Sequence, residues 1–339
     1  MHPLEKATYQ LIVREELLAP AESVIVGCSA GPDSMALLHV LGALGPRLSV
    51  KPVAVYVDHG LRPGETGRER ELVESRAAVL DITCQSFRVD AAREAEEKKL
   101  SLEHAARNLR YGILEQLASE YEPARIAVAH TADDQAEEVL LRLIRGTGRA
   151  GLAGMKMIRD KRIIRPFLTR TKAELLSYLK RYDIPWLEDS SNLETRFLRN
   201  RLRLEVIPEL AGINPNISET LRRTAEVLQD EELVLSRLTE DAWRELVFAE
   251  PEAGKVSIDL PGFRDLERAI RRRLLEKVFI EMSARPQGEK IEQILYLAET
   301  GETGARLHFS GGLRLKKARG RLLFSYPAGR ISARGNLES

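Results

Sequence analysis

A loop of small and hydroxyl-bearing residues at positions 29–34 has a composition that suits phosphate binding. A β-branched run at 24–26 predicts a buried strand before the loop, and apolar periodicity over 35–44 predicts a helix after it. A tight turn between a strand and a helix N-terminus directs backbone N–H groups and the helix dipole at one point. The sequence therefore predicts an anion site formed by six residues: Ser29, Ala30, Gly31, Pro32, Asp33 and Ser34.

Two carboxylates further along the chain, Asp134 and Glu137, have the spacing of a cation site. They are three residues apart and therefore share one face of a helix. Such a face attracts an ammonium group or Mg²⁺. Asp133 beside them is equally explained as a helix N-cap, and the same alternative competes with metal or amine binding at Asp33.

The elements that must position these residues alternate between strand and helix. Apolar runs predict four strands, and periodic segments between them predict helices: strands at 24–26, 53–57, 82–89 and 125–129, helices at 35–44, 65–80 and 92–120. This order predicts an α/β fold with a doubly wound parallel sheet, which binds ligands at the carboxyl ends of its strands. Asp58 and His59 follow the second strand, so we expect them at the same crevice. A turn-stabilising hydrogen bond is the competing explanation for His59.

The rest of the chain predicts a second, smaller α+β domain. Thr171 and Glu174 form a capping box for a helix over 169–182, and the segment 196–210 is basic and partly helical. The elements predicted beyond Gly212 are helices at 217–250, 263–282 and 290–298 and strands at 305–309, 313–317 and 321–324. We therefore expect a catalytic domain over 1–212, a linker helix and recognition domain over 213–326, and a disordered tail over 327–339.

The net charge of +1 hides a basic segment. Residues 142–203 contain 16 lysines and arginines against 6 aspartates and glutamates. Arginine suits bidentate phosphate binding, so this segment favours a nucleic-acid partner, with a solvated arginine-rich surface as the alternative. The candidate phosphate contacts are Arg142, Arg145, Arg149, Arg199, Arg201 and Arg203.

Several protein classes are disfavoured by composition. No apolar run is long enough to span a membrane, and the N-terminus lacks a signal-peptide core, which favours a cytoplasmic protein. Two cysteines make a disulfide framework unexpected, and the absence of C-x-x-C and H-x-x-x-H spacing argues against zinc. The oligomeric state stays open, with a homodimer as one option.

The loop resembles the S-G-G-x-D-S loop of the N-type ATP pyrophosphatases, with Ala30 in place of the first glycine. A methyl group fits there only at negative φ and away from phosphate. Four further segments, taken in order, resemble the tRNA(Ile)-lysidine synthetases. They are V-D-H-G-L-R at 57–62, H-T-A-D-D-Q-A-E at 130–137, R-G-T-G at 145–148 with G-L at 151–152, and D-S-S-N at 189–192 with R-N-R at 199–201. Glu138 departs from the family, which commonly has threonine there.

This resemblance implies the chemistry and its partners. ATP adenylates the C2 carbonyl oxygen of the wobble cytidine of tRNA(Ile) with a CAU anticodon, and the ε-amine of L-lysine then displaces AMP. The implied cofactors are ATP and Mg²⁺, with the loop, Asp58 and His59 at the nucleotide and Asp33 and Asp134 at the metal. Lysine is expected at Asp134 and Glu137. The resemblance also places Arg110, with Arg107, near the substrate carboxylate or phosphates, against the alternative of salt bridges to Glu103 or Glu115.

Two other functions remain open from the residues alone. A tRNA thiolase uses the same adenylation but needs paired cysteines or an iron–sulfur cluster, for which Cys28 and Cys84 show no pattern. A non-catalytic RNA-binding module would explain Ala30. It would not explain the carboxylates at 133–137.

Overall fold

The computed structural model describes residues 1–61, 64, 66–188, 197–250 and 254–327. Two compact units, Met1–Gln229 and Asp230–Ser339, divide the chain. Arg62, the D-S-S-N motif at 189–192 and the predicted tail from residue 328 onward lie outside the described residues. No helix in the described part of the chain is both long and apolar enough to cross a membrane.

The first unit is built on a six-stranded sheet with the order β3-β2-β1-β4-β6-β5. Its strands are β1 (Ser23–Cys28), β2 (Lys51–Asp58), β3 (Thr83–Arg88), β4 (Ala124–Ala127), β5 (Ile158–Arg159) and β6 (Ile163–Ile164). All neighbours pair in parallel except β5 with β6, which confirms the predicted parallel sheet. The last two strands were not predicted, because two residues are too few to show a period.

Helices cover both faces of this sheet. They are α1 (Pro3–Arg14), α2 (Pro32–Leu48), α3 (Thr66–Val79), α4 (Ala91–Lys98), α5 (Leu102–Glu120), α6 (Ala132–Ile144), α7 (Arg149–Leu152), α8 (Lys172–Arg181), α9 (Leu198–Arg201), a π-helical turn (Leu202–Val206) and α10 (Ile207–Ile213). The single helical stretch predicted over 92–120 is two helices. Lys99 takes a left-handed conformation that ends α4, and the Ser101 hydroxyl caps α5.

The apolar strand β1 is buried on both sides. Val24 and Val26 pack with α1, α2 and α8, whereas Ile25 packs on the opposite face with Tyr111 and Leu114 of α5. A strand buried on both faces reads as a continuous apolar run, which is why the sequence revealed it. The phosphate loop follows directly from this fixed strand.

The second unit contains a five-stranded antiparallel sheet with the order β7-β8-β11-β10-β9. Its elements are α11 (Ile217–Leu246, which crosses the division between the units), β7 (Val247–Glu250), β8 (Lys255–Asp259), α12 (Leu260–Asp265), α13 (Arg268–Glu281), α14 (Gly288–Thr300), β9 (Arg306–His308), β10 (Arg314–Ala318) and β11 (Arg321–Ser325). The helix predicted over 217–250 ends at Leu246, because Val247 pairs with Ile258 in the sheet.

Candidate active site

The phosphate loop is held by its own hydroxyls. Ser34 Oγ donates to the Gly31 carbonyl at 2.9 Å and accepts the Ser29 N–H at 3.1 Å. Gly31 is the N-cap of α2 and supplies no side-chain cap, and Pro32 opens the helix. The first N–H groups of α2 therefore have no side-chain cap, and an anion is their natural partner.

Ala30 is fully buried and has φ of 59°, so the expectation of negative φ at this position is wrong. Its carbonyl accepts the Leu187 N–H at 2.9 Å, and its methyl group packs in the core below the loop. A left-handed alanine costs about 1 kcal/mol relative to glycine, and burial of the methyl group contributes about as much in the other direction. The alanine is therefore compatible with a folded loop.

Asp33 has an open carboxylate oxygen. It does not cap α2, because Gly31 holds that position, so the N-cap alternative is wrong. Its Oδ1 atom is buried and accepts no hydrogen bond from the described residues. Burial raises the pKa of Asp33 to about 6, although the charge of Lys172 opposes the rise. A buried oxygen without a donor is suited to a cationic ligand.

The carboxylates of α6 are bound more fully. Asp134 Oδ2 accepts the Thr131 N–H and hydroxyl, each at 2.8 Å, and completes a capping box. Asp133 Oδ2 accepts the backbone N–H of Lys172 at 2.7 Å. Asp133 therefore accepts the first backbone N–H of α8, whose N-cap is Thr171, and the expectation that it caps its own helix is wrong, because that N-cap is Thr131.

Two arginines cover the acidic face of α6. Arg199 Nε lies 3.0 Å and Arg203 Nε 2.5 Å from the Glu137 carboxylate, and one Nη2 atom of each lies 3.3 Å from Asp134 Oδ1. The side chain of Glu137 is 2% exposed. Burial alone would raise the pKa of Asp134, but Arg199, His130 and the Thr131 hydrogen bonds together lower it. The predicted lysine-binding carboxylates thus pair with predicted phosphate-binding arginines.

A cavity of about 120 Å³ brings the loop and this acidic face together. It is lined by Asp33, Thr131, Asp133, Asp134, Glu137, Lys172, Arg203, Ile207 and Ser218. Sequence reasoning missed Lys172, the first residue of α8, whose ammonium group forms no hydrogen bond or ion pair with the described residues. The cavity can hold an amine head group but is too small for ATP.

The chemistry of these carboxylates fits Mg²⁺ delivered with nucleotide. Among the described residues, no group of three or more His, Cys, Asp or Glu side chains is arranged to hold a metal alone. Mg²⁺ commonly takes one or two carboxylates plus substrate phosphates. The open Asp33 oxygen and Asp134 could supply those carboxylates.

Asp58 and His59 lie at the carboxyl end of β2, beside the loop. Asp58 Oδ1 accepts the Gly60 N–H at 2.8 Å, and the His59 carbonyl accepts the Ala91 N–H at 3.2 Å. Both residues are at the sheet edge expected for them, and neither lines the acidic cavity.

Arg107 and Arg110 lie on α5, beside Tyr111. The Arg107 guanidinium is 5.0 Å from the Tyr111 ring centre, and Arg159 is 4.7 Å from the same ring. Burial, with the neighbouring Arg107 charge, lowers the pKa of Arg110. Neither Arg107 nor Arg110 forms a salt bridge with the described residues. The alternative explanation, salt bridges to Glu103 or Glu115, is therefore wrong.

The remaining candidate phosphate contacts divide into two groups. Arg142 is engaged inside the protein: it pairs with Glu138 at 2.7 Å and donates to the Gly151 and Gly154 carbonyls. Glu138, the residue that departs from the family pattern, is thus its structural partner. Arg145 and Arg149 are exposed, and Arg201 pairs with its neighbour Glu205 on the surface.

Known proteins resemble this chain over most of its length. The chain matches the PP-loop domain family over residues 3–210. The tRNA(Ile)-lysidine synthase of Bacillus subtilis is 32% identical over 328 residues, which cover 95% of this chain and 69% of that protein. The Geobacillus kaustophilus enzyme of the same name is 31% identical over 324 residues, which cover 94% of this chain and 69% of the relative.

Among solved structures, a U34-tRNA thiolase from Methanococcus maripaludis, solved with its 4Fe-4S cluster, has a TM-score of 0.56 and 16% sequence identity. The alignment covers 67% of this chain and 78% of the thiolase. At this identity the likeness concerns the fold alone.

Proposed function

The chain belongs to the tRNA(Ile)-lysidine synthase family, and we propose that it joins L-lysine to C2 of the wobble cytidine of tRNA(Ile) with a CAU anticodon. ATP is converted to AMP and pyrophosphate, and the lysidine formed changes decoding from AUG to AUA. The observation that carries the proposal is the acidic cavity next to the phosphate loop. Because carboxylates repel phosphate, the four carboxylates that line this cavity are suited to a cationic group such as the ammonium of lysine.

The first step activates the base. The cytidine C2 oxygen attacks the α-phosphorus of ATP, the bond to the β-phosphate oxygen breaks, and pyrophosphate leaves. Ser29, Ser34 and the first N–H groups of α2 would bind the departing phosphates. Mg²⁺, held by the phosphates with Asp33 and Asp134, would supply positive charge there when bound.

The second step needs a neutral amine. The lysine ε-ammonium loses a proton, its nitrogen attacks C2, and the C2–O bond breaks to release AMP. Asp33, whose Oδ1 atom accepts no hydrogen bond from the described residues, would be the open carboxylate that accepts that proton once pyrophosphate and Mg²⁺ have left. Glu137 and Asp134 would orient the amine. Because Arg199 and Arg203 already bind both, lysine must share these carboxylates or displace a guanidinium.

The second unit offers a surface for tRNA phosphates. Along β10, Arg314 and Lys316 are exposed while Leu315 is buried, and the register places exposed Arg306 beside Lys316. None of these three cations forms an ion pair with the described residues. We assign this open sheet face to tRNA backbone contacts, which set affinity and salt dependence. Arg145 and Arg149 are the matching candidates in the first unit.

The two alternative functions are less well supported. Burial raises the pKa of Cys28 well above its usual range and that of Cys84 to about 11, which disfavours reactive thiolates. The two cysteines lie on β1 and β3, with β2 between them. A non-catalytic RNA-binding module does not explain the open Asp33 oxygen or the acidic cavity.

The test combines the protein with ATP, Mg²⁺, labelled lysine and tRNA(Ile) bearing a CAU anticodon. We expect label in this tRNA, absent from methionine tRNA with the same anticodon, and one AMP released per lysine. Lys172→Met and Asp33→Asn should lose product, whereas Arg170→Met, on an exposed surface pair with Glu174, should keep it. Sulfur incorporation, or no lysine incorporation by a folded protein, would overturn the proposal.

A further inference from the structure

Arg165 is a buried arginine at the carboxyl end of β6, with 3% of its surface exposed. Its Nε donates to His130 Nδ1 at 3.2 Å, and its Nη1 donates to the Lys156 carbonyl. Its backbone N–H donates to the Met157 carbonyl at 3.0 Å. The guanidinium is therefore held through both its Nε and Nη1 atoms. The proposed reaction assigns no role to this residue.

This contact determines the proton position on His130. An arginine side chain is always protonated and can only donate, so Nδ1 must carry the lone pair. The imidazole proton then resides on Nε2. Burial, with the charges of Arg165, Arg199 and Arg107, lowers the pKa of His130 to about 3, although Asp134 opposes this. The ring is thus neutral, with one N–H donor.

The charged groups around His130 are mostly cations, which suits the binding of an oxyanion. Four charged groups act on the pKa of His130, namely Arg107 on α5, Asp134 on α6, Arg199 on α9 and Arg165 at the end of β6, so three of the four are cations. His130 itself follows β4, the strand next to β1 and its phosphate loop. A neutral imidazole N–H can stabilise developing negative charge, because it donates without first losing or gaining a proton.

We propose that Arg165 is a positioning residue that locks His130 in the Nε2–H tautomer, so that His130 donates a hydrogen bond to an oxyanion of the bound substrates. This inference rests on the proposed function. The oxyanion belongs either to the α-phosphate of ATP, which becomes the AMP phosphate, or to the α-carboxylate of lysine. Both accept the same hydrogen bond.

The first test reads the tautomer directly. In the ¹⁵N NMR spectrum of this 339-residue chain, without substrates, His130 should show an unprotonated Nδ1 and a protonated Nε2. Arg165→Met should weaken that preference to the mixture of tautomers found in a free imidazole, and Arg165→Gln, whose amide can still donate to Nδ1, should largely restore it. A protonated Nδ1 in the wild-type protein would overturn the inference, whether or not lysidine is formed.

The second test asks whether the Nε2–H donor of His130 contributes to catalysis. Glutamine places an amide nitrogen near the Nε2 position and asparagine near Nδ1, so His130→Gln should retain much more activity than His130→Asn. We expect kcat to fall about 100-fold in His130→Asn, the usual loss for one oxyanion donor, and by a smaller factor in Arg165→Met, which leaves the donor in place but no longer fixes its tautomer. An accompanying rise in KM for ATP alone assigns the donor to phosphate, and a rise for lysine alone assigns it to the carboxylate.

The matched control is Arg170→Met, which removes an arginine from the same segment without touching a histidine. If Arg165→Met lowered only the melting temperature and left kcat unchanged, Arg165 would be structural and the inference would be wrong. Equal activity of His130→Gln and His130→Asn would contradict it as well.

Discussion

Replacement of Asp33 by asparagine should stabilise the protein while abolishing the reaction. Burial raises the pKa of Asp33 from 3.8 to about 6, so folding disfavours its charged form. Below the pKa of the unfolded state, such a group does not change the free energy of unfolding. Its destabilising effect grows as pH rises from about 4 to about 6 and is constant at higher pH. The difference between the two pKa values corresponds to about 3 kcal/mol at neutral pH.

The measured gain should be smaller, about 1–2 kcal/mol, because the asparagine amide also needs partners. Urea unfolding is followed by the fluorescence of Trp186 in a Trp243→Phe background, at neutral pH and at about pH 4.5. The advantage of Asp33→Asn should shrink at the lower pH. Asp133→Ala is the control, and it should destabilise because it removes the acceptor of the Lys172 N–H. An Asp33→Asn protein no more stable than wild type at neutral pH would refute the reasoning.

Three further changes have defined outcomes. Ala30→Gly relieves a left-handed alanine but loses a buried methyl group, so unfolding free energy should change by less than about 1 kcal/mol and lysidine formation should persist. Lys317→Met should cost about 2–4 kcal/mol in urea unfolding, because its buried ammonium bonds three carbonyls at the end of α14, whereas exposed Lys316→Met should cost little. Arg314→Glu should weaken tRNA binding and flatten its salt dependence in filter-binding titrations, and Arg272→Glu, at an arginine already paired with a carboxylate, should do so less.

Local signals in the sequence predicted most of the framework. Strand β1 is apolar because both of its faces are buried, and the capping box of Thr171 and Glu174 occurs as predicted. The phosphate loop needs only a strand end and a helix start, both of which are local. The ends of longer elements were harder to predict. Helix α11, for example, stops where Val247 pairs with Ile258 of β8.

The hydrogen bonds and ion pairs of the site join residues that are distant in the sequence, and composition cannot reveal such contacts. Glu137 and Arg203 are 66 residues apart in the chain, yet their side chains form an ion pair at 2.5 Å. The two-residue strand β6 shows no periodicity, so nothing placed Arg165 next to His130. Residue types near the reaction could be predicted, but their partners could not.

The proposed reaction has two separable half-reactions, adenylation of the cytidine and transfer of lysine, and Glu137 acts in the second alone. The direct measurement follows α-labelled ATP with tRNA(Ile) in the absence of lysine, then after lysine is added. Label should enter the tRNA as a bound adenylate and leave as AMP on addition of lysine. Glu137→Gln should accumulate the adenylate and fail to release it. If the label never enters the tRNA, or if Glu137→Gln blocks adenylation as strongly as lysine transfer, the division of roles is wrong.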